Sequence, residues 1–232
     1  MDNSKDIPKP ELLHKIEGCT DEVTGAVIIP GKLLGYCHGY CQASSCHVGE
    51  DGVISISSDR SVRVWLLRDS GQYWPSICHY YTDTAPTCLS YCHERRSGPH
   101  IVSRNISDGL IIRLLFVGLD SGAVDEWEVA RDYNSITSVR KYHAHLSRVE
   151  DTCFSPASNW ILSCGRDKYF YFHCTVTGKR LGGYLCNAWC TGLAYDEEAQ
   201  YVFVGDYSGA ITVCKLEQSG VKFINTLKVS IM

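Results

Sequence analysis

Ile54-Ser-Ile-Ser-Ser-Asp-Arg-Ser-Val-Arg-Val-Trp65 decides the fold. It reads as an alternating strand, a tight turn carrying Ser, Asp and Arg, and a second alternating strand ending in Trp. Three later stretches repeat it: Phe116-Val-Gly-Leu-Asp-Ser-Gly-Ala-Val-Asp-Glu-Trp127, Ile161-Leu-Ser-Cys-Gly-Arg-Asp-Lys-Tyr-Phe-Tyr-Phe-His173 and Val202-Phe-Val-Gly-Asp-Tyr-Ser-Gly-Ala-Ile-Thr-Val-Cys214. Each is a β-hairpin, and helical periodicity is absent throughout.

Aligning Trp65, Trp127, His173 and Cys214 gives spacings of 62, 46 and 41 residues. The last two match the ~40–45-residue period of WD40 repeats, each one blade of a β-propeller. The first is long by roughly 20 residues against that period, which implies an insertion, placed at 95–114. A second irregular, glycine-rich stretch, 31–49, separates the apolar strand Val23–Pro30 from its expected partner. Further strands are expected at Leu12–Gly18, Tyr73–Tyr81, Thr87–His93, Val139–His145, Arg148–Ser155, Arg180–Leu185, Gly192–Asp196 and Lys222–Val229. That is one strand more than four blades of four need. The predicted fold is therefore all-β, about four WD40-type blades over 12–229 forming an incomplete, open propeller behind a disordered N-terminus, 1–11.

The composition, 44% hydrophobic and 21% charged, suits a globular chain. A net charge of −4 with no basic cluster beyond Arg95 and Arg96 argues against nucleic acid and direct membrane binding. The polar N-terminus lacks the apolar run of a secretory signal, and no apolar stretch is long enough for a bilayer, so a cytoplasmic location is expected. The 13 cysteines are odd in number and below the density of a disulfide scaffold. Several, including Cys153, Cys164 and Cys214, fall within apolar alternation, where Cys acts as a small buried hydrophobe.

The block Val62-Arg-Val-Trp-Leu-Leu-Arg-Asp-Ser-Gly-Gln-Tyr-Trp-Pro-Ser76, followed by Gly118-Leu-Asp120, Asp132-Tyr-Asn134, Arg180-Leu-Gly-Gly-Tyr184 and Lys215-Leu-Glu-Gln218, resembles the WD repeat and FYVE domain-containing proteins from about Leu12 to Thr226. The resemblance implies a propeller and an adaptor role on early endosomes, where that family's FYVE zinc finger reads phosphatidylinositol 3-phosphate. This sequence departs from the pattern by its two extra segments and by ending after the fourth repeat. A FYVE finger needs Cys-x-x-Cys pairs to hold zinc, and no Cys-x-x-Cys occurs here, so the lipid-binding role transfers to no residue.

Asp59, Trp65, Trp127, His145, Asp167 and His173 occupy the repeat positions that resemble the WD40 network of turn Asp, loop His, strand Ser or Thr and strand Trp. The third repeat comes nearest, with His145, Ser163 and Asp167 in order and His173 replacing Trp, while the first has Asp59 and Trp65 without a matching His. Buried polar groups need such partners, so these are structural positions. Cys37, Cys41, Cys46 and His47 are the residues that could ligate zinc, but the adjacent Cys-His pair cannot easily converge on one ion. Gly118-Leu-Asp-Ser-Gly122 and Gly205-Asp-Tyr-Ser-Gly209 set Ser beside Gly in the wrong order for a nucleophile elbow; they read as hairpin turns in which Gly supplies positive φ. No catalytic constellation and no cofactor site is expected. The function predicted is a non-enzymatic scaffold for other proteins, self-associating through open propeller edges. Its rivals are a small zinc-binding module around Cys37–His47 and an incomplete product with no function of its own.

Overall fold

The computed structural model describes residues 15–30, 50–96 and 111–228. The N-terminus 1–11, the segment 31–49 with its candidate zinc ligands, and 97–110 lie outside the described residues. The described residues form sixteen strands in four antiparallel sheets, each built from four consecutive strands. Blade one holds β1 (Val23–Pro30), β2 (Glu50–Ser57), β3 (Ser61–Leu67) and β4 (Tyr73–Tyr80). Blade two holds β5 (Pro86–Arg96), β6 (Ile111–Leu119), β7 (Ala123–Val129) and β8 (Ile136–His143). Blade three holds β9 (Val149–Ser155), β10 (Trp160–Gly165), β11 (Tyr169–Cys174) and β12 (Arg180–Leu185). Blade four holds β13 (Cys190–Asp196), β14 (Tyr201–Asp206), β15 (Ala210–Glu217) and β16 (Gly220–Lys228).

The central turns are identical in all four blades. An N–H at the fourth turn position donates to the carbonyl three residues earlier: Arg60 to Ser57, Gly122 to Leu119, Lys168 to Gly165 and Gly209 to Asp206. That fourth residue always has positive φ, at 68°, 89°, 71° and 76°. Gly takes this conformation freely in blades two and four, as expected, while Arg60 and Lys168 adopt it against the steric preference of L-residues. The two turns without Gly are those with Asp one position earlier, whose carboxylate accepts the N–H of Ser61 (2.9 Å) or Tyr169 (3.2 Å). The side chain fixes the turn where the backbone does not favour it.

Blade-to-blade linkers repeat too. Tyr81, His145 and Cys186 donate their N–H to the preceding turn's Arg60, Gly122 and Lys168 carbonyls. Ser58, Asp120, Arg166 and Tyr207, each second in its turn, donate to Glu22, Ala85, Arg148 and Trp189. Linkers and turns are thereby locked together at one end of the blades.

Period-two alternation gives each blade two apolar faces. One face, holding the Trp65 row or its equivalent, meets the preceding blade; the other meets the following one. Ile54, Ile56, Val62 and Val64 of blade one pack on Leu115 and Val117 of blade two. Leu114, Phe116 and Val124 then pack on Val149, Phe154 and Ile161, and Leu162, Cys164, Phe170 and Phe172 on Val202, Val204, Cys214 and Leu216. Inner strands touch in series, β1 with β5, β5 with β9 and β9 with β13, and no contact of that extent joins β13 to β1 among the described residues. The propeller is open, as the repeats predict.

Two expectations are corrected. Of Leu12–Gly18, the described part, 15–18, is not a strand and lies over blade one. Gly18 accepts a hydrogen bond from Arg63, and a Cβ on Gly18 would stand 2.6 Å from the Trp65 ring, an approach only Gly permits. The stretch 95–114 is not irregular at its ends: β5 runs through Arg96 and β6 starts at Ile111, paired Arg96 with Ile111 and Arg95 with Ile112. All ten described cysteines are free thiols, and Cys164 and Cys214 are fully buried in the apolar cluster that Cys153 packs against.

Candidate functional site: repeat-position networks and the loop end

In blade three the linker after β8 carries His145 over the β10–β11 turn. Its Nδ1 lies 2.9 Å from Asp167 and its Nε2 2.9 Å from the Ser163 hydroxyl, while Asp167 also accepts the Leu146 N–H. Burial alone would raise the Asp167 carboxyl, but bonds from His145, the histidine's charge and the N–H groups of Leu146 and Tyr169 hold it below its ordinary value. The order Ser, His, Asp is that of a hydrolytic triad. Ser163 is buried and Gly165 packs tightly on the His145 ring, so no reactant can reach the hydroxyl. The arrangement ties linker to hairpin.

His173 sits on β11 where blades one and two have Trp. It pairs across the ladder with Ile161 and packs near Tyr142 at 5.3 Å. Burial, then the charges of Arg180 and His145, depress its pKa to about 4. His173 therefore behaves as a neutral, buried aromatic and not as a proton carrier at neutral pH.

Blade one solves the same problem without histidine. Trp65 donates from Nε1 to Ser55 at 2.9 Å. Thr20 takes the linker position, giving its N–H and hydroxyl to one oxygen of Asp59, whose other oxygen accepts from Ser61. Arg63 pairs with Asp59 at 3.0 Å, both side chains almost fully buried. Burial would raise the Asp59 carboxyl, yet these bonds and the Arg63 charge lower it to about 2. In blade two Val117 replaces the strand Ser, and Trp127 turns its N–H to the Tyr81 hydroxyl at 3.1 Å. Blade four shifts its Asp to the first turn position, where Asp206 accepts from Ser208 and Ala210. Thr20, Tyr81 and Asp206 escape sequence reasoning because each fills its place in the network from a different residue type or register.

The locked end of the blades also displays a surface cluster that the pattern did not single out. Leu146 is 97% exposed on the linker into blade three, Trp189 and Tyr207 are exposed with ring centroids 6.0 Å apart, and the Arg166 guanidinium stands 5.7 Å from the Trp189 ring. Arg166 is held by Glu150, which also faces Arg148 at 3.4 Å. One signal was legible: the second turn position is polar in the other blades, as Ser58, Asp120 and Arg166, but Tyr207 in blade four. No group of three or more His, Cys, Asp or Glu side chains is disposed to hold a metal ion among the described residues.

Residues 136–173, from β8 through β11, match the family model described as "WD domain, G-beta repeat". WD repeat and FYVE domain-containing protein 1 of Bos taurus is 42% identical over 221 residues, covering 95% of this chain and 45% of its own length. WD repeat and FYVE domain-containing protein 2 of Homo sapiens is 40% identical over 220 residues, covering 95% of this chain and 46% of its own. The chain is a WD-repeat relative of these proteins. A more distant relative, WD repeat and FYVE domain-containing protein 2 of Caenorhabditis elegans, is 32% identical over 219 residues, 94% of this chain and 44% of its own length. The chain spans about half the length of the curated relatives it matches. Among solved structures, that of the computationally designed Ika8 protein matches with a TM-score of 0.55 at 19% identity, over 78% of this chain and 47% of the other, a likeness of fold.

Proposed function

We propose that this WD-repeat protein is a non-enzymatic scaffold that binds other proteins through the end of the blades where linkers and turns meet. The observation that supports this most is the exposed cluster of Arg166, Trp189 and Tyr207, with Leu146 exposed on the linker whose N–H is held by Asp167. Trp, Tyr and Arg are the residues that dominate protein–protein binding energy, because rigid aromatic rings bury much area at little entropic cost. Blade frameworks fixed by repeated linker bonds hold such a cluster in place without rearrangement. The polar triads face inward and serve the fold, which supports a binding role over catalysis.

Nucleic acid and direct membrane contact are outside this proposal, since the net charge of −4 offers no basic surface. The relatives' names join WD repeats to a FYVE domain, and on that basis we place this chain in the cytoplasm at endosomal membranes, held there through proteins. The test is quantitative affinity recovery from cell extract with the intact chain and with the double variant Trp189→Ala/Tyr207→Ala. Partners retained by the first and lost from the second, with unchanged circular dichroism, support the reading. Equal recovery by both refutes it.

A further inference from the structure

The exposed Trp189–Tyr207 pair flanks a carboxylate that the fold leaves without a counter-charge. β13 pairs Cys190 with Asp206, and the Tyr207 N–H donates to the Trp189 carbonyl at 2.8 Å. The two rings are thus carried by the residues next to this ladder pair, one on the linker and one on the turn. Trp189 is 48% and Tyr207 77% exposed, whereas Asp206 is only 6% exposed. Its Oδ1 accepts from Ser208 and Ala210, but its Oδ2 is buried and has no hydrogen-bond partner. Buried polar atoms in folded proteins nearly always have one.

The other blades show what is missing. The turn Asp of blade one has Arg63 beside it, and that of blade three has His145. In blade four Cys186 takes the linker position of His145, giving its N–H to Lys168 as His145 does to Gly122, and a thiol brings no positive charge. No ion pair to Asp206 occurs among the described residues. Burial would raise the Asp206 carboxyl, but the Ser208 hydroxyl and the N–H dipoles of Ala210, Ser208 and Ala188 hold it below its ordinary value, so it is ionised at neutral pH. Both ring positions are open inside the arc as well: the turn position of Tyr207 is exposed as Asp120 and Arg166 in blades that have a following neighbour, and Trp189 lies on the linker between two blades.

We infer that the partner engaged at this end presents a basic segment, one lysine of which seats its ammonium group against the Trp189 and Tyr207 rings and supplies the counter-charge that Asp206 lacks. Ring faces attract cations through their negative quadrupole, Trp most strongly. The guanidinium of Arg166 already stands 5.7 Å from the Trp189 ring, but Glu150 holds it and Asp206 does not. The same end exposes Asp21, Glu22, Asp83 and Asp120, while Glu150 engages both Arg148 and Arg166, so a basic segment meets complementary charge. This inference rests on the scaffold reading above and names the chemistry of the partner.

The probe is a pentalysine peptide, titrated into the intact chain at physiological salt and followed by calorimetry, with the same peptide acetylated on every Nζ as control. Saturable binding of the first and none of the second is expected. Trp189→Leu and Tyr207→Leu change no charge and lie at exposed positions, so each should fold. Each should weaken binding by about 3- to 30-fold, the span of a cation–π contact. Asp206→Asn should weaken it at least as much; should that variant lose its fold by circular dichroism, the two ring variants still decide. Equal binding of the acetylated peptide, or binding indifferent to both ring variants, would overturn the inference, since diffuse attraction to an acidic chain needs neither ring. No binding of pentalysine, by a chain whose partners are still lost from Trp189→Ala/Tyr207→Ala, would overturn it and leave the scaffold reading in place. Partners kept by that double variant would overturn the scaffold reading itself, and this inference with it.

Discussion

Replacing Asp59 by Asn should destabilise blade one by about 2.5 kcal/mol at neutral pH and remove an acid transition. Both carboxylate oxygens accept: one takes Thr20 and Arg63, the other the N–H and hydroxyl of Ser61. Asn must therefore aim its NH₂ at a donor whichever way it is turned, and Arg63 loses its buried counter-charge. A carboxyl held at about 2 instead of 3.8 corresponds to about 2.5 kcal/mol of folded-state preference for the charged form. The depressed pKa means this stability is present above pH 3.8 and is lost as pH falls to about 2. The side chain is only 5% exposed, so solvent screening takes little from the figure. Urea denaturation followed by tryptophan fluorescence, at pH 7 and in steps from pH 4.5 to 2, measures both effects in parent and variant. Asp59→Asn within about 0.5 kcal/mol of the parent, the usual scatter of surface substitutions, would refute the reasoning, and so would an undiminished stability loss between pH 4 and 2.

His173, held at about 4 by burial, is neutral in the fold but protonates readily when unfolded near its ordinary 6.5. Its contribution is intact above pH 6.5 and falls through pH 4, costing about 2 kcal/mol by pH 5; His173→Phe should flatten the pH 7 to 5 change in melting temperature. Because Pro30 pairs directly with Glu50, exchanging the 19 residues 31–49 for a four-residue turn should stabilise the chain by about 1.3 kcal/mol of loop-closure entropy, read as a higher urea midpoint at constant m-value. Vesicles containing phosphatidylinositol 3-phosphate should not float with the purified chain at physiological salt, since no Cys-x-x-Cys pair is present to build a zinc-held basic pocket.

Alternation and turn chemistry are local, and they were enough for much of this protein. β1 and β12 have the bounds read from sequence, and the four hairpins, their turn positions and the open four-blade arrangement follow from period-two patterning repeated at a near-constant spacing. The tie between His145, Ser163 and Asp167 was legible because all three keep the repeat's register.

What the sequence left open depended on groups brought together from distant positions. Thr20 meets Asp59 across 39 residues and Tyr81 meets Trp127 across 46; a buried donor or acceptor pairs with any complementary group that packing delivers, so residue type does not reveal the partner. Arg95–Arg96 and Ile111–Leu114 look irregular, yet a ladder extends through them. Leu12–Gly18 looks like a strand, but its described part, 15–18, is not one and packs through Gly18 on the Trp65 ring. Alternation tells that Phe116 and Phe203 both point out of their sheets toward a following blade. Only the tertiary structure, by stacking Phe154 on Phe116 and leaving Phe203 38% exposed, decided how deeply each is buried.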